Sequence, residues 1–188
     1  TISNNIIGSG TVANSLNASS VSGTTGVQLL YGINNTGAGT LIISSNTVAN
    51  LTNGTTNSST VRLNAVNGIR SNAGTLTLTG NTIHDLKISS ANTSTTVVSA
   101  CGLALSGTTL PKTITANIIY NISNDFSGYD GGIAGITFLG SSASPNTVSG
   151  NFIHSLSLSG ITSADTCKIY GIKIFSGATT YANNIISL

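Results

Sequence analysis

Thr113-Ile114-Thr115-Ala116-Asn117-Ile118-Ile119-Tyr120-Asn121-Ile122 and Thr147-Val148-Ser149-Gly150-Asn151-Phe152-Ile153-His154-Ser155-Leu156 are one ten-residue phrase written twice, 34 residues apart. Its anchor is an Asn followed two positions later by a β-branched residue. Six such anchors run through the chain at Asn5, Asn46, Asn81, Asn117, Asn151 and Asn184, spaced by 41, 35, 36, 34 and 33 residues. Three residues upstream of each stands Ile2, Ile43, Leu78, Ile114, Val148 or Tyr181. Five residues downstream of the four middle anchors stand Leu51, Leu86, Ile122 and Leu156. A Gly followed by Ile or Leu keeps the same phase at Gly32, Gly68, Gly102, Gly135 and Gly171. Composition alone scatters Asn and Gly; it does not lock three landmarks together over five periods.

Each period contains three short stretches of alternating character, as in Ile136-Thr137-Phe138, Thr147-Val148-Ser149 and Asn151-Phe152-Ile153-His154. Alternation is the strand signal, and no stretch long enough for a helix carries a 3.6-residue period. A unit of this size cannot bury its apolar side alone. Stacked copies can, each strand pairing with its counterpart about 4.8 Å away in the next turn. The stacked Ile, Val, Leu and Phe form the interior. The Asn side chains bond along the stack as a ladder, and Gly serves a bend that a Cβ crowds. The expected fold is all-β, a single-domain solenoid spanning residues 1–188 with about five turns of three short strands.

Ser, Thr and Asn make up 78 of the 188 residues, charged residues are 5%, and Glu, Met and Trp are absent. Six cations and a net charge of +2 make no basic stripe for nucleic acid. No apolar run reaches the roughly 18 residues of a membrane helix, so neither nucleic acid nor membrane insertion is expected. Two Cys are no disulfide framework. Cys101 and Cys167 fall on different turns, too far apart to pair with each other. The chain opens at Thr1 without Met or signal peptide, which reads as a processed product or a piece of a longer repeat protein. The opening and closing strands repeat the internal pattern, with nothing to block strand addition. Self-association along the axis, or further repeats of a parent chain, is the expected partnership.

The pattern Gly-Ile-x-Φ, a polar loop, Thr-x-Φ-x-x-Asn, then x-Ile-x-x-Leu resembles the right-handed parallel β-helix repeat of pectate-lyase-like proteins. The Thr-, Ser- and Asn-rich phrases around Gly80-Asn81-Thr82-Ile83-His84-Asp85-Leu86 resemble repeat segments of large secreted surface proteins of Bacteroidota. The resemblance implies a right-handed coil and an extracellular or cell-surface setting. Its lyases and hydrolases cluster carboxylates with Arg or Lys on one outer sheet.

Here the only carboxylates are Asp85, Asp125, Asp130 and Asp165, scattered over several turns, so catalysis is not expected. Asp125 and Asp130 share a loop with the composition of an ordinary turn. His84 and His154 face outward two turns apart, beyond the reach of one metal; with Tyr120 between them they form either a plain exposed strand face or a contact strip for a sugar, the first being the leading expectation. No metal or cofactor is called for. Thr77, Thr79, Thr113, Thr115, Thr147 and Ser149 form outward pairs that resemble the arrays of ice-binding solenoids, interrupted by Ile42 and Ala182. The leading expectation is a structural or adhesive segment of an extracellular surface protein or fibre. Alternatives are a carbohydrate-binding module, a polysaccharide lyase or hydrolase, and an ice-binding solenoid. Ladder Asn residues are expected to matter for stability, and loop residues such as Asn57 are not.

Overall fold

The computed structural model describes residues 1–18, 26–61, 63–72, 74–91, 98–127, 129, 131–159 and 167–188. Among the described residues eighteen strands follow one another. The first four are β1 (Ile2–Ser3), β2 (Ile6–Gly8), β3 (Leu16–Ala18) and β4 (Leu29–Asn35). Next come β5 (Leu41–Ser44), β6 (Thr47–Asn53), β7 (Ala65–Ser71), β8 (Leu76–Thr79), β9 (Thr82–Ile88) and β10 (Ala100–Leu105). The rest are β11 (Lys112–Thr115), β12 (Ile118–Asn124), β13 (Gly132–Leu139), β14 (Asn146–Ser149), β15 (Phe152–Leu158), β16 (Lys168–Ser176), β17 (Thr179–Ala182) and β18 (Ile185–Ser187). All pairings are parallel, and they build three sheets. Sheet A runs β1-β5-β8-β11-β14-β17, sheet B runs β2-β6-β9-β12-β15-β18, and sheet C runs β4-β7-β10-β13-β16. The short β3 also pairs with β6. This is a parallel β-solenoid. Four turns, β5 through β16, carry the A-B-C order without interruption; β1 to β4 form a less regular turn before them, and β17 and β18 follow with no sheet C strand. Among the described residues no helix is long and apolar enough to cross a membrane.

The landmarks of the sequence are the core columns. Ile2, Ile43, Leu78, Ile114, Val148 and Tyr181 lie in register on sheet A. Ile7, Val48, Ile83, Ile119, Ile153 and Ile186 do so on sheet B. Ile33, Ile69, Leu103, Ile136 and Ile172 complete the triangle on sheet C. The middle members are fully buried, each contributing about 1.5–3 kcal/mol of apolar burial. β-branched side chains fit these positions because they pack well on a pleated, buried surface.

The glycine column has a different cause from the expected bend. None of Gly32, Gly68, Gly102, Gly135 and Gly171 has a positive φ. A Cβ on Gly68, Gly102 or Gly135 meets the β-branched side chain of Ile83, Ile119 or Ile153 at 2.4–2.5 Å and the carbonyl of the next glycine at 2.7–2.8 Å. These residues are glycine because sheet C approaches sheet B too closely for a side chain.

The Asn ladder is continuous. Each Nδ2 donates to the Oδ1 of the next: Asn5 to Asn46 at 2.9 Å, Asn46 to Asn81 at 3.0 Å, and Asn81 to Asn117, Asn117 to Asn151 and Asn151 to Asn184 at 2.9 Å. The main-chain N–H of each donor residue shares the same acceptor. The second amide hydrogen returns to the preceding turn, as from Asn81 to Ile43 O at 2.9 Å and from Asn117 to Leu78 O at 3.1 Å. Buried amides thereby satisfy the sharp corner between sheets A and B.

That corner is made by the residue before each ladder Asn. Asn4, Ser45, Gly80, Ala116, Gly150 and Asn183 all have φ between 54° and 63°. Asn and Gly adopt this left-handed conformation readily, whereas Ala is strained by roughly 1 kcal/mol. Ala116 is exposed, and Gly150 holds the equivalent place one turn on. Ala116→Gly should therefore stabilise the chain by about 0.5–1 kcal/mol. A lower denaturant midpoint for the variant than for the parent would contradict the assigned conformation.

The polar loops are better anchored than their composition suggests. Asn57 is buried, donating through Nδ2 to Gly26 O at 2.7 Å and accepting from Ser59 N at 2.9 Å. The expectation of a dispensable loop Asn is thus corrected: its amide replaces absent backbone partners inside the loop. Asn53 donates to Gln28 O and Ala65 O, both at 2.9 Å, and Asn124 donates to Ser90 O and Ser99 Oγ, again at 2.9 Å. Each stands seven residues after a ladder Asn. Lys112 is also buried, with Nζ donating to Gly107 O at 2.5 Å and Leu110 O at 3.4 Å. Burial pushes its pKa down.

Candidate functional site

The outer face of sheet B carries most of the chemistry. On its central strands the core residues Ile83 and Leu86, or Ile119 and Ile122, are three positions apart, although strict alternation puts every second residue inside. One residue per strand absorbs the mismatch by taking a left-handed conformation at the same position in every strand, so the pairing stays in register. Asn50, Asp85, Asn121 and Ser155 fill that place, all with φ between 53° and 56°. Asn and Asp tolerate this region better than most residues. These left-handed positions directly follow the column Ala49, His84, Tyr120, His154.

In that column the rings stack. His84 and Tyr120 have centroids 4.7 Å apart and planes 3° from parallel; Tyr120 and His154 are 4.9 Å and 2°. Phe152 closes the far end against His154 at 4.6 Å with a 33° tilt. Parallel in-register strands impose this spacing, which happens to suit aromatic contact. His84, read from sequence as part of an outward strip, is nevertheless buried between its neighbours. Its Nδ1 lies 2.6 Å from Asp85 Oδ2, and Asn121 Nδ2 donates to Asp85 Oδ1 at 3.0 Å. The ring faces are spent on one another. What the strip offers to solvent is ring edges.

Beside the strip a polar groove crosses the turns, lined by Asn14, Asn50, Thr52, Asp85, Lys87, Asn121, Ser123, Ser155 and Ser157. Lys87 pairs with Asp125 at 2.7 Å. Asp130 and Asp165, the other two carboxylates of the sequence, lie outside the described residues. Among the described residues no three His, Cys, Asp or Glu come together as a metal site.

Sheet A bears the Thr array. Thr77, Thr113, Thr147 and Thr180 form one outward column, and Ser44, Thr79, Thr115 and Ser149 the other. Ile42 and Ala182 interrupt them in register, as the spacing predicts. Thr115 Oγ1 donates to Thr79 Oγ1 at 3.2 Å, so part of the array's bonding capacity is directed sideways.

Sheet C holds a third surface that the repeat pattern does not mark. A groove bounded by Arg70, Ala104, Leu105, Thr137, Leu139 and Phe175 runs over its outer face. Arg70 lies 5.3 Å from the ring of Tyr31, and Lys173 lies 4.9 Å from Tyr170 and 5.0 Å from Phe175. Arg70 and Tyr31 come from neighbouring turns, whereas Lys173 and both of its ring partners lie on β16 itself.

Cys101 and Cys167 are not joined in a disulfide. Cys101 aligns with Ala134 on β13, and Ala134 with Tyr170 on β16. Cys167 precedes that strand and contacts Tyr129 O at 2.7 Å. Burial pushes the Cys101 thiol from 9.0 up to about 12. Its proton is held in the folded state after the unfolded chain has lost its own. The stabilisation is complete below pH 9 and disappears as pH rises to about 12, worth about 4 kcal/mol at 1.4 kcal/mol per unit. Tyr129, also raised by burial, acts in the same direction, and Lys112 opposes both. Cys101→Ala should flatten the loss of stability between pH 9 and 12, measured as denaturant midpoint against pH. An unchanged slope would mean the thiol is not buried as described.

Comparison with family models, with curated proteins and with solved structures finds no match to this chain.

Proposed function

We propose that the chain is a structural segment of an extracellular surface protein or fibre, a rod whose role is to set length and present side chains at its surface. The observation that carries this reading is the unbroken register of the Asn ladder, the glycine column and the three apolar columns through every turn. Each turn is held by its neighbours alone, which is the construction of a one-dimensional element. A surface of Thr, Ser and Asn with few charges suits exposure outside the cell. Antibody labelling of intact cells that produce the protein tests the reading. Surface labelling without permeabilisation is expected, and labelling only after permeabilisation would overturn it.

The polar groove on sheet B favours a second reading, a glycan-binding module. It combines amide, hydroxyl, ammonium and carboxylate groups along a line that crosses successive turns, as a linear sugar chain requires. A glycan array probed with the parent chain and with Lys87→Ala tests it. Signals that the variant loses support it, and no signal for the parent rejects it.

A further inference from the structure

Side-chain size cuts a trough into the outer face of sheet C. Two outward columns run Tyr31-Asn67-Cys101-Ala134-Tyr170 and Asn34-Arg70-Ala104-Thr137-Lys173. The long side chains belong to β7 and β16, whereas β10 and β13 between them contribute only Cys, Ala and Thr. Strand spacing puts β7 and β16 roughly 14 Å apart. Val98 packs on Cys101 and Ala134 and closes one half of the gap. Ala104 and Thr137 floor the other half, with Arg70 on one side and Leu139 and Phe175 on the other. This half has a volume of about 410 Å³, within the range of small-molecule pockets.

One wall of the trough is polar and fixed in place. Arg70 Nη1 donates to Asn34 Oδ1 at 3.1 Å, and its Cζ lies 5.3 Å from the centre of the Tyr31 ring. These contacts hold the guanidinium from the β4 side and use one of its five N–H donors. Asn67 stands three positions earlier on the same strand and also lines the trough. It is 7% exposed, yet no described residue hydrogen-bonds its side-chain amide. Buried amides ordinarily have partners. An unmatched amide beside a held guanidinium is a setting for a planar acceptor with two oxygens, a carboxylate. The charge distribution agrees. Sheet C carries Arg70, Lys168 and Lys173, while the described side-chain carboxylates, Asp85 on β9 and Asp125 just after β12, lie on the sheet B side.

We propose that this trough binds a small amphipathic carboxylate, an aromatic or short-chain acid. Its carboxylate lies on Arg70 and the Asn67 amide, and its apolar body crosses Ala104 toward Leu139 and Phe175. Phe175 is 44% exposed, apolar surface that the body covers. A neutral apolar molecule leaves the amide and the guanidinium unmatched. A bare inorganic anion leaves the apolar wall in water. The walls on both sides and the cover of Val98 limit the occupant to a free small molecule. The site goes beyond the reading of the coil as a rod, and it lies on a different sheet from the polar groove.

Isothermal titration calorimetry of the chain with 2-naphthoate, 2-naphthylmethanol and acetate tests this. The naphthoate should saturate a single site. The alcohol, which keeps the rings without the charge, and acetate, which keeps the charge without the rings, should each bind roughly tenfold more weakly or worse. Arg70→Gln should weaken 2-naphthoate by roughly tenfold or more and leave the alcohol within about twofold. Ala104→Leu raises the floor of the trough and should weaken both ring compounds together. Circular dichroism and denaturant midpoints establish that each variant keeps the parent fold. The proposal is overturned if the parent shows no saturable binding of 2-naphthoate in the millimolar range. It is overturned equally if the alcohol or acetate matches the naphthoate, or if folded Arg70→Gln or Ala104→Leu binds the naphthoate as the parent does.

Discussion

Gly102→Ala should lower the free energy of unfolding by about 3 kcal/mol or more, at the top of the range for overpacking a tight core. The added methyl sits 2.5 Å from Ile119 Cγ2 and 2.7 Å from the carbonyl oxygen of Gly135. Ile119 is fully buried and cannot swing away, and the carbonyl belongs to the adjacent strand. Relief requires sheet C to lift from sheet B, which disturbs the neighbouring turns as well. Gly39→Ala is the control, because a Cβ there meets nothing within 4 Å and φ is not in the left-handed range. It should be neutral, or stabilising by up to about 1 kcal/mol through the unfolded chain. Denaturant midpoints of the two variants decide the matter. If they shift alike, the glycine column does not lie between the sheets.

The same glycine shows where the sequence was legible and where it stopped. Recurrence of Gly with the Asn and apolar landmarks revealed the coil, because each stacking device must repeat in every turn to work in any of them. The ladder, the inner columns and the outward Thr pairs followed from alternation alone. What recurrence could not convey was the reason for each choice. A glycine needed for close approach and one needed for a bend look identical in sequence. The left-handed kink at Asn50, Asp85, Asn121 and Ser155 was signalled by core residues three apart, yet that spacing also fits a turn. Its consequence, the Asp85–His84 contact, depends on the local backbone at that kink. The ring stack needed the spacing between strands rather than along them. Burial of Asn57 and Lys112 depended on loops that differ from turn to turn, where no column constrains the reading.

Asn117→Ala should cost roughly 3–5 kcal/mol, since buried partners left unmatched lose about 1–3 kcal/mol each. Asn81 N and Asn81 Nδ2 both donate to Asn117 Oδ1, at 3.0 and 2.9 Å. Leu78 O and Thr115 O both accept from Asn117 Nδ2, at 3.1 Å. Deleting the side chain strips these groups at once in a site with no exposed surface. Asn117→Asp distinguishes bonding from volume. It retains the acceptor for Asn81 but offers no amide hydrogen to Leu78 O, Thr115 O or Asn151 Oδ1, and it buries a charge. It should therefore be at least as damaging at neutral pH and recover partly in acid, where the protonated carboxyl can donate once. Asn5→Ala gives the scale of an end position: Asn5 is exposed and no donor among the described residues reaches its oxygen, so the loss should stay near 1 kcal/mol. The ordering Asn117 well above Asn5, read from denaturant midpoints, is the signature of a ladder that gains its strength from having a neighbour on both sides. Equal losses at the two positions would mean that the amides act singly and that the column of asparagines is not one bonded structure.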